Sequence, residues 1–169
     1  MKKFQLRCVF VLLLTLALVF PTFALAAGDQ ELNTQSTGTT RSTARSGNVY
    51  EGVCGADMQW RLDEASGVLT ISGSGEMDSF DKKAPWFTYT NAIKKIVVEP
   101  GITTLADKAF FYCSSLTDVE LPQSITGWGY GIFETCQDLE SIVLPSNMTE
   151  IPTGMFEGCT SLMEITIPA

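Results

Sequence analysis

The stretch Ala109-Phe110-Phe111-Tyr112-Cys113-Ser114-Ser115-Leu116-Thr117-Asp118-Val119-Glu120-Leu121-Pro122 carries an apolar skeleton that returns 23 residues later, and again after 23 more. Cys113, Cys136 and Cys159 keep that step, as do Phe110, Phe133 and Phe156, and Leu116, Leu139 and Leu162. Val119, Ile142 and Ile165 keep it too, followed by Leu121, Leu144 and Ile167, then Pro122, Pro145 and Pro168. A register this regular marks a solenoid, in which each repeat makes one coil and needs a neighbour to bury its apolar edge. The run L-x-x-V-x-L-P reads as a short strand with inward apolar residues. Proline stops it, having no N–H to give and a ring that fixes φ. Leu105, Trp128 and Ile151 mark a second inward position on the returning side of the coil. Segments 107–112 and 153–157 have room for one turn of α- or 3-10 helix, with Phe110 and Phe156 pointing in.

Working outward, the repeats occupy 93–169. Ile93, Ile96 and Val98 stand where Leu116, Val119 and Leu121 stand one period later. Phe87 lies 23 residues before Phe110, so the first repeat grades into the segment ahead of it. That segment, 49–92, has a different texture. Met58, Trp60 and Leu62 alternate, and Leu69 and Ile71 follow, predicting two strands joined at Ser66-Gly67. Gly73-Ser74-Gly75 is expected to end the second strand. Pro85-Trp86-Phe87 and Tyr89 then concentrate aromatics where the first coil would expose its edge, and a strand-rich cap answers that need. Strands about 4.8 Å apart give three to four coils a length of roughly 15–20 Å.

The lead-in 52–86 and the unit quoted first together resemble BspA-like leucine-rich repeat proteins of bacterial secreted or cell-surface type. The resemblance rests on the A-F-x-x-C-x-S-L-x-x-V-x-L-P unit and its close copy Phe156-Glu157-Gly158-Cys159-Thr160-Ser161-Leu162. Cys54-Gly55, Trp60, residues 67–75 and Ala84-Pro85-Trp86 extend it ahead of the repeats. It implies a mainly β fold with short helical turns, a leucine-rich-repeat right-handed solenoid of 23-residue coils behind a small N-terminal β cap. It also implies secreted or cell-surface placement, a role in adhesion to other proteins, and no catalytic residues. The second copy departs from the pattern at Ile125-Thr126-Gly127-Trp128-Gly129-Tyr130-Gly131 without moving the register.

Residues 1–27 have the layout of a secretory signal peptide: Lys2, Lys3 and Arg7, an apolar run from Val9 to Phe20, then Ala24-Leu25-Ala26-Ala27. Residues 28–48 are rich in Thr, Ser and Gly and predict a flexible linker. Cleavage removes three basic residues and leaves eight Lys plus Arg against nineteen Asp plus Glu, moving the net charge from −8 to −11. So acidic a chain is a poor partner for nucleic acid, which needs clustered positive charge. No membrane span is expected after cleavage. The chain has no histidine, which excludes His-based catalysis and His-ligated metal, and no cofactor is expected.

The cysteine register admits three readings. A metal needs converging thiolates, which a linear ladder does not offer. Disulfides between coils are within reach, yet parallel Cβ vectors oppose them. Buried thiols acting as small hydrophobes fit best, with Cys54 apart in the cap. Asp63-Glu64 reads as turn residues rather than an acid–base pair. Asn147-Met148-Thr149 matches a glycosylation sequon. Trp128 aligns with inward positions, leaving Tyr130 as the exposed aromatic.

Candidate partner-binding residues are those between inward positions on the sheet side: Lys95, Asp118, Glu120, Ser141, Val143, Glu164 and Thr166, with Tyr130 added. The expected partner is an extracellular or surface protein. The alternatives are an accessory domain or spacer of a larger cell-wall- or carbohydrate-acting protein. The last coil, ending at Ile167-Pro168-Ala169, offers its edge to a second copy of the chain.

Overall fold

A computed structural model describes residues 47–80 and 83–168; the signal-peptide and linker readings lie outside the described residues. Three antiparallel strands open the fold: β1 (Val49–Gly55), β2 (Asp57–Asp63) and β3 (Val68–Glu76). In β2 and β3 alternation does the folding. Met58, Trp60 and Leu62 face one way and meet Gly73, Ile71 and Leu69 across the ladder. The connecting turn is held by Asp63, whose Oδ1 accepts the N–H groups of Ala65 and Ser66, while Gly67 N–H donates to the Asp63 carbonyl. Asp63 is a turn residue.

Two expectations for this region are corrected. Val49–Gly55 is a third strand, paired with β2 from Val49↔Asp63 to Gly55↔Met58. Its inward row, Tyr50, Gly52 and Cys54, is too weakly apolar to declare itself. And β3 does not stop at Gly73-Ser74-Gly75. Gly73 and Gly75 take φ of 111° and 91°, a left-handed bend that glycine accommodates, and β3 turns a corner into the next side of the coil. Its first half pairs in parallel with β4 (Lys95–Val98), its second with β5 (Ile102–Leu105).

From there the chain coils. β4 pairs with β6 (Asp118–Glu120), and β5 with β7 (Gly127–Trp128), both parallel. β8 (Ser141–Val143) pairs with β9 (Glu164–Thr166). The pairs Ile96↔Val119, Leu105↔Trp128 and Ile142↔Ile165 are the 23-residue register made physical. β6 and β8 adjoin without forming one ladder, so the sheet side is broken there.

The third side is made of hydrogen-bonded turns. Segments 107–112 and 153–157 form no helix; the single helix among the described residues is the 3-10 helix Phe87–Ala92. These turns join coil to coil through Lys108, Phe110 and Tyr112 N–H, which donate to the Tyr130, Ile132 and Glu134 carbonyls. Gly131, Phe133 and Thr135 do the same to Thr153, Met155 and Glu157. Main-chain polar groups are thus satisfied between coils, where a helix would satisfy them within itself.

Inside runs an aromatic column: Trp86, Phe110, Phe133 and Phe156, with centroids 5.8, 5.5 and 5.9 Å apart. Trp86, not Phe87, holds the place below Phe110, and Phe87 stacks on Phe111 instead. The first coil is one residue longer than the others, and the 3-10 helix absorbs the extra residue. Trp86 Nε1–H donates to the buried Ala109 carbonyl at 2.9 Å, and Trp60 and Phe80 pack edge-on against its ring. Together they close the first coil.

Thr90 precedes Cys113 by one period and is the one buried polar residue among those described. Ile93, Leu116, Leu139 and Leu162 N–H donate to the Thr90, Cys113, Cys136 and Cys159 carbonyls in turn. The thiol column therefore begins as a hydroxyl. Cys54, Cys113, Cys136 and Cys159 are free; the first three are buried and Cys159 half-buried. Cys136 Sγ–H donates to the Phe110 carbonyl at 3.4 Å and Cys159 Sγ–H to that of Phe133 at 3.0 Å. Burial pushes the Cys113 thiol up to about 12, and burial followed by the Asp78 charge does the same to Cys54.

Ile151 breaks the inward pattern. It is 49% exposed, where Leu105 is fully buried and Trp128 is packed against the core. Its coil has no further coil beyond it among the described residues.

Candidate binding face

β6, β8 and β9 each set one central residue on the inner side and two outward, and β4 alternates in the same way with Ile96 and Val98 inward, so the period-two alternation of short strands builds a face. The register sets Lys95 beside Asp118 and Val97 beside Glu120 on the first pair of strands. On the second pair it sets Ser141 beside Glu164 and Val143 beside Thr166. Because β6 and β8 are not laddered, the seven sheet-side candidates form two groups.

Lys95 dominates the first group. Its Nζ lies 2.7 Å from Asp118 Oδ2 and also bonds Glu120 Oε1. These hydrogen bonds, first Asp118 and then Glu120, raise the Lys95 pKa above its ordinary value. The cation is therefore fixed, and both carboxylates are already engaged. In the second group Val143 stands 56% exposed, and Thr166 Oγ1–H donates to Glu164 Oε1 at 3.2 Å. Tyr130 belongs to neither. It lies on the turn side, 52% exposed, with Lys108 Nζ 5.8 Å from its ring centre.

The outward face also runs farther than the repeats. Val68 and Thr70 continue the rows of Lys95 and Val97, Arg61 lies across from Thr70, and Glu51 across from Arg61. A cavity of about 340 Å³ opens there, lined by Glu51, Val53, Gln59, Arg61 and Ser72 among others. The alternation of Met58, Trp60 and Leu62 contains this extension, since Gln59 and Arg61 must then point out. What hid it was the unrecognised third strand. Asn147, the sequon residue, donates through Nδ2 to the Gln123 and Ile125 carbonyls at 3.1 and 2.9 Å. It ties two coils together, and a glycan on that nitrogen would break the tie.

Among the described residues no three His, Cys, Asp or Glu side chains are grouped as a metal would require. No helix among them is long and apolar enough to cross a membrane.

Short parallel strands, inward Leu, Val and Ile, and coils about 23 residues apart define the class of leucine-rich-repeat solenoids. The pattern of the BspA type leucine rich repeat region, in six copies, matches residues 83–169, and the chain belongs to that family. Its repeats are in general a non-catalytic scaffold for protein interaction. A solved leucine-rich repeat protein from Eubacterium ventriosum is similar at 24% identity and a TM-score of 0.59, over 71% of this chain and 40% of that one. One from Bacteroides ovatus is 41% identical over 46% of this chain and 20% of its own, with a TM-score of 0.43. A leucine rich cell surface protein from Faecalibacterium prausnitzii is 19% identical over 75% and 44%, with a TM-score of 0.41. The chain spans less than half the length of each. Comparison with curated proteins finds no match.

Proposed function

We propose that this chain is an exported binding module that engages an extracellular or surface protein through the outward face of its sheet, in adhesion. The observation that carries the reading is Val143, 56% exposed on a strand face beside Ser141, Thr166 and the Glu164 carboxylate. An exposed apolar anchor inside a polar surround is the arrangement that gives interfaces their few dominant contacts. Export is supported by the leader pattern of residues 1–27. N-terminal sequencing of secreted protein should read Gly28 as the first residue; an intact Met1 on a membrane-bound chain would reject cleavage.

Binding is tested with the folded mature chain immobilised against extracellular-matrix and bacterial-surface proteins. Saturable binding at micromolar concentration is expected, lost on combining Asp118→Asn, Glu120→Gln, Val143→Asp and Glu164→Gln. Absence of any saturable partner would reject the module reading.

A second reading is favoured by the exposed apolar row Ile151, Met163, Ile165 and Ile167. Here the module is an accessory or spacer part of a larger secreted protein, and a strand covers that row. Sedimentation decides whether the cover is a second copy: a dimer that Ile165→Lys dissociates supports it, and a monomer at all concentrations rejects it.

A further inference from the structure

The turn side of the first coils carries a groove that the sheet-face reading does not use. A cavity of about 470 Å³ is lined by Phe87, Tyr112, Pro85 and Thr88 among others. A smaller one of about 120 Å³ shares Lys83, Ala84 and Phe87 with it and continues past Phe111 to Lys108 and Tyr130. The rings form a track along the stack. Phe87 lies over Phe111 at 6.1 Å, and Phe111 meets Tyr112 at 5.5 Å. Lys83 Nζ sits 3.9 Å from the Phe87 centroid, and Lys108 Nζ 4.9 Å from that of Phe111. Lys108 is paired with Glu134 at 2.9 Å. Lys83 joins no ion pair among the described residues, and it is the one charged residue among those lining the larger cavity.

An independent feature marks the same place. Lys108 and Tyr112 hold left-handed φ of 53° and 66°, a region that costs side-chain-bearing residues energy. One period on, the equivalent positions are Gly131 and Thr135; after another they are Gly154 and Gly158, all at φ between 60° and 74°. Later coils make the same turns with glycine at three of four positions. The first keeps a lysine and a tyrosine there, and both side chains line the groove. Strain retained where a relaxed residue would serve points to use of the side chain.

We propose that this groove is a second docking site, and that it takes a peptide segment of another protein bearing a carboxylate beside an aromatic or apolar side chain. Apolar walls with one ammonium, unpaired among the described residues, suit a single negative charge on an apolar body. Two adjoining cavities that share Lys83, Ala84 and Phe87 suit an extended chain. On a protein of net charge −8, Lys83 is a local point of opposite sign. The site is separate from the sheet face, so either can fail alone.

The test is a titration of the full mature chain, followed by amide NMR, with N-acetyl-Asp-Phe-amide, its Asn-Phe counterpart and glucuronate. The Asp-Phe probe should shift signals from residues 83–91 and 108–112 and bind at least about fivefold more tightly than Asn-Phe. Lys83→Met should abolish that preference and Lys83→Arg should keep it. Tyr112→Gly, which relieves the strained φ, should raise the melting temperature while weakening binding about fivefold or more. Equal binding of the two peptides, shifts elsewhere, no shifts at millimolar probe, or a preference for glucuronate would each overturn the assignment. So would a Tyr112→Gly protein that binds unchanged.

Discussion

The middle coils and the last described coil carry the same kinds of apolar side chain in the same register, and bury them differently. Phe110 and Phe133 are fully buried, whereas Phe156 is half-buried against the core. Val119 and Ile142 are buried and Ile165 is exposed; Leu105 is buried and Ile151 is exposed. Nothing in the individual residues separates the two sets. Pointing inward is a property of the coil, and burial is a property of its neighbour. In a solenoid the stabilising free energy therefore resides between coils.

Paired truncations give the largest expected effect and the most direct way to break this comparison. Phe133→Ala should cost about 3–5 kcal/mol and Leu105→Ala about 2–5 kcal/mol, through lost burial and the cavity left behind. Phe156→Ala and Ile151→Ala should cost less than half as much as their partners, because solvent already reaches those side chains. Urea unfolding of the four variants measures the ratios. Equal costs at Leu105 and Ile151 would mean that the last coil is covered in solution.

The thiol column sharpens the same contrast by pH. Cys113 is raised from its ordinary 9.0 to about 12 by burial, so the folded chain keeps its proton where the unfolded chain has lost it. Above pH 9 the unfolded state binds fewer protons, and stability falls as pH rises, by about 1.4 kcal/mol per pH unit per such thiol, until about 12. Cys54 adds to the slope over the same window. At the end of the column Cys136 is buried with its S–H on the Phe110 carbonyl, whereas Cys159 is half-buried and open to solvent. Alkylation with mass mapping should therefore mark Cys159 first in the native protein, and Cys113 and Cys136 only on unfolding. Simultaneous labelling of all three would show that the column opens as a unit.

Much of this was legible from period alone. Coil length, inward positions, thiol burial and the outward row all follow from side chains repeating at a fixed step. Besides the run of β3 past Gly73, the absent helical turns and the exposure of Ile151, three features escaped, each for a physical reason. The first coil's extra residue shifts Trp86 under Phe110, and a strict 23-residue step selects Phe87 instead. β1 turns Tyr50, Gly52 and Cys54 inward, a row whose glycine sits against Trp60 and whose alternation is too faint to read. The turn-side groove depends on rings from successive coils, Phe87, Phe111 and Tyr130, which share no single register. Periodicity finds what repeats; Lys83 and Tyr112 matter because they do not.

The smallest expected effect on stability separates the two halves of the sheet face. Lys95 holds Asp118 and Glu120 at a solvent-exposed site, where ion pairs add little to folding. Lys95→Met should therefore leave the unfolding midpoint unchanged. Its effect on binding is another matter. A partner presenting cations must compete with Lys95 for those two carboxylates, whereas among the described residues Glu164 is engaged only by the Thr166 hydroxyl. Glu164→Gln should then weaken binding more than Asp118→Asn does in the wild-type background. In the Lys95→Met background, where Asp118 and Glu120 are released, Asp118→Asn should come to matter as much. Interface charges of this kind act mainly on association rate and its salt dependence, so kinetics at two ionic strengths are the measurement. If Asp118→Asn has the same effect with and without Lys95, the partner does not read the first half of the face. The site then contracts to Ser141, Val143, Glu164 and Thr166.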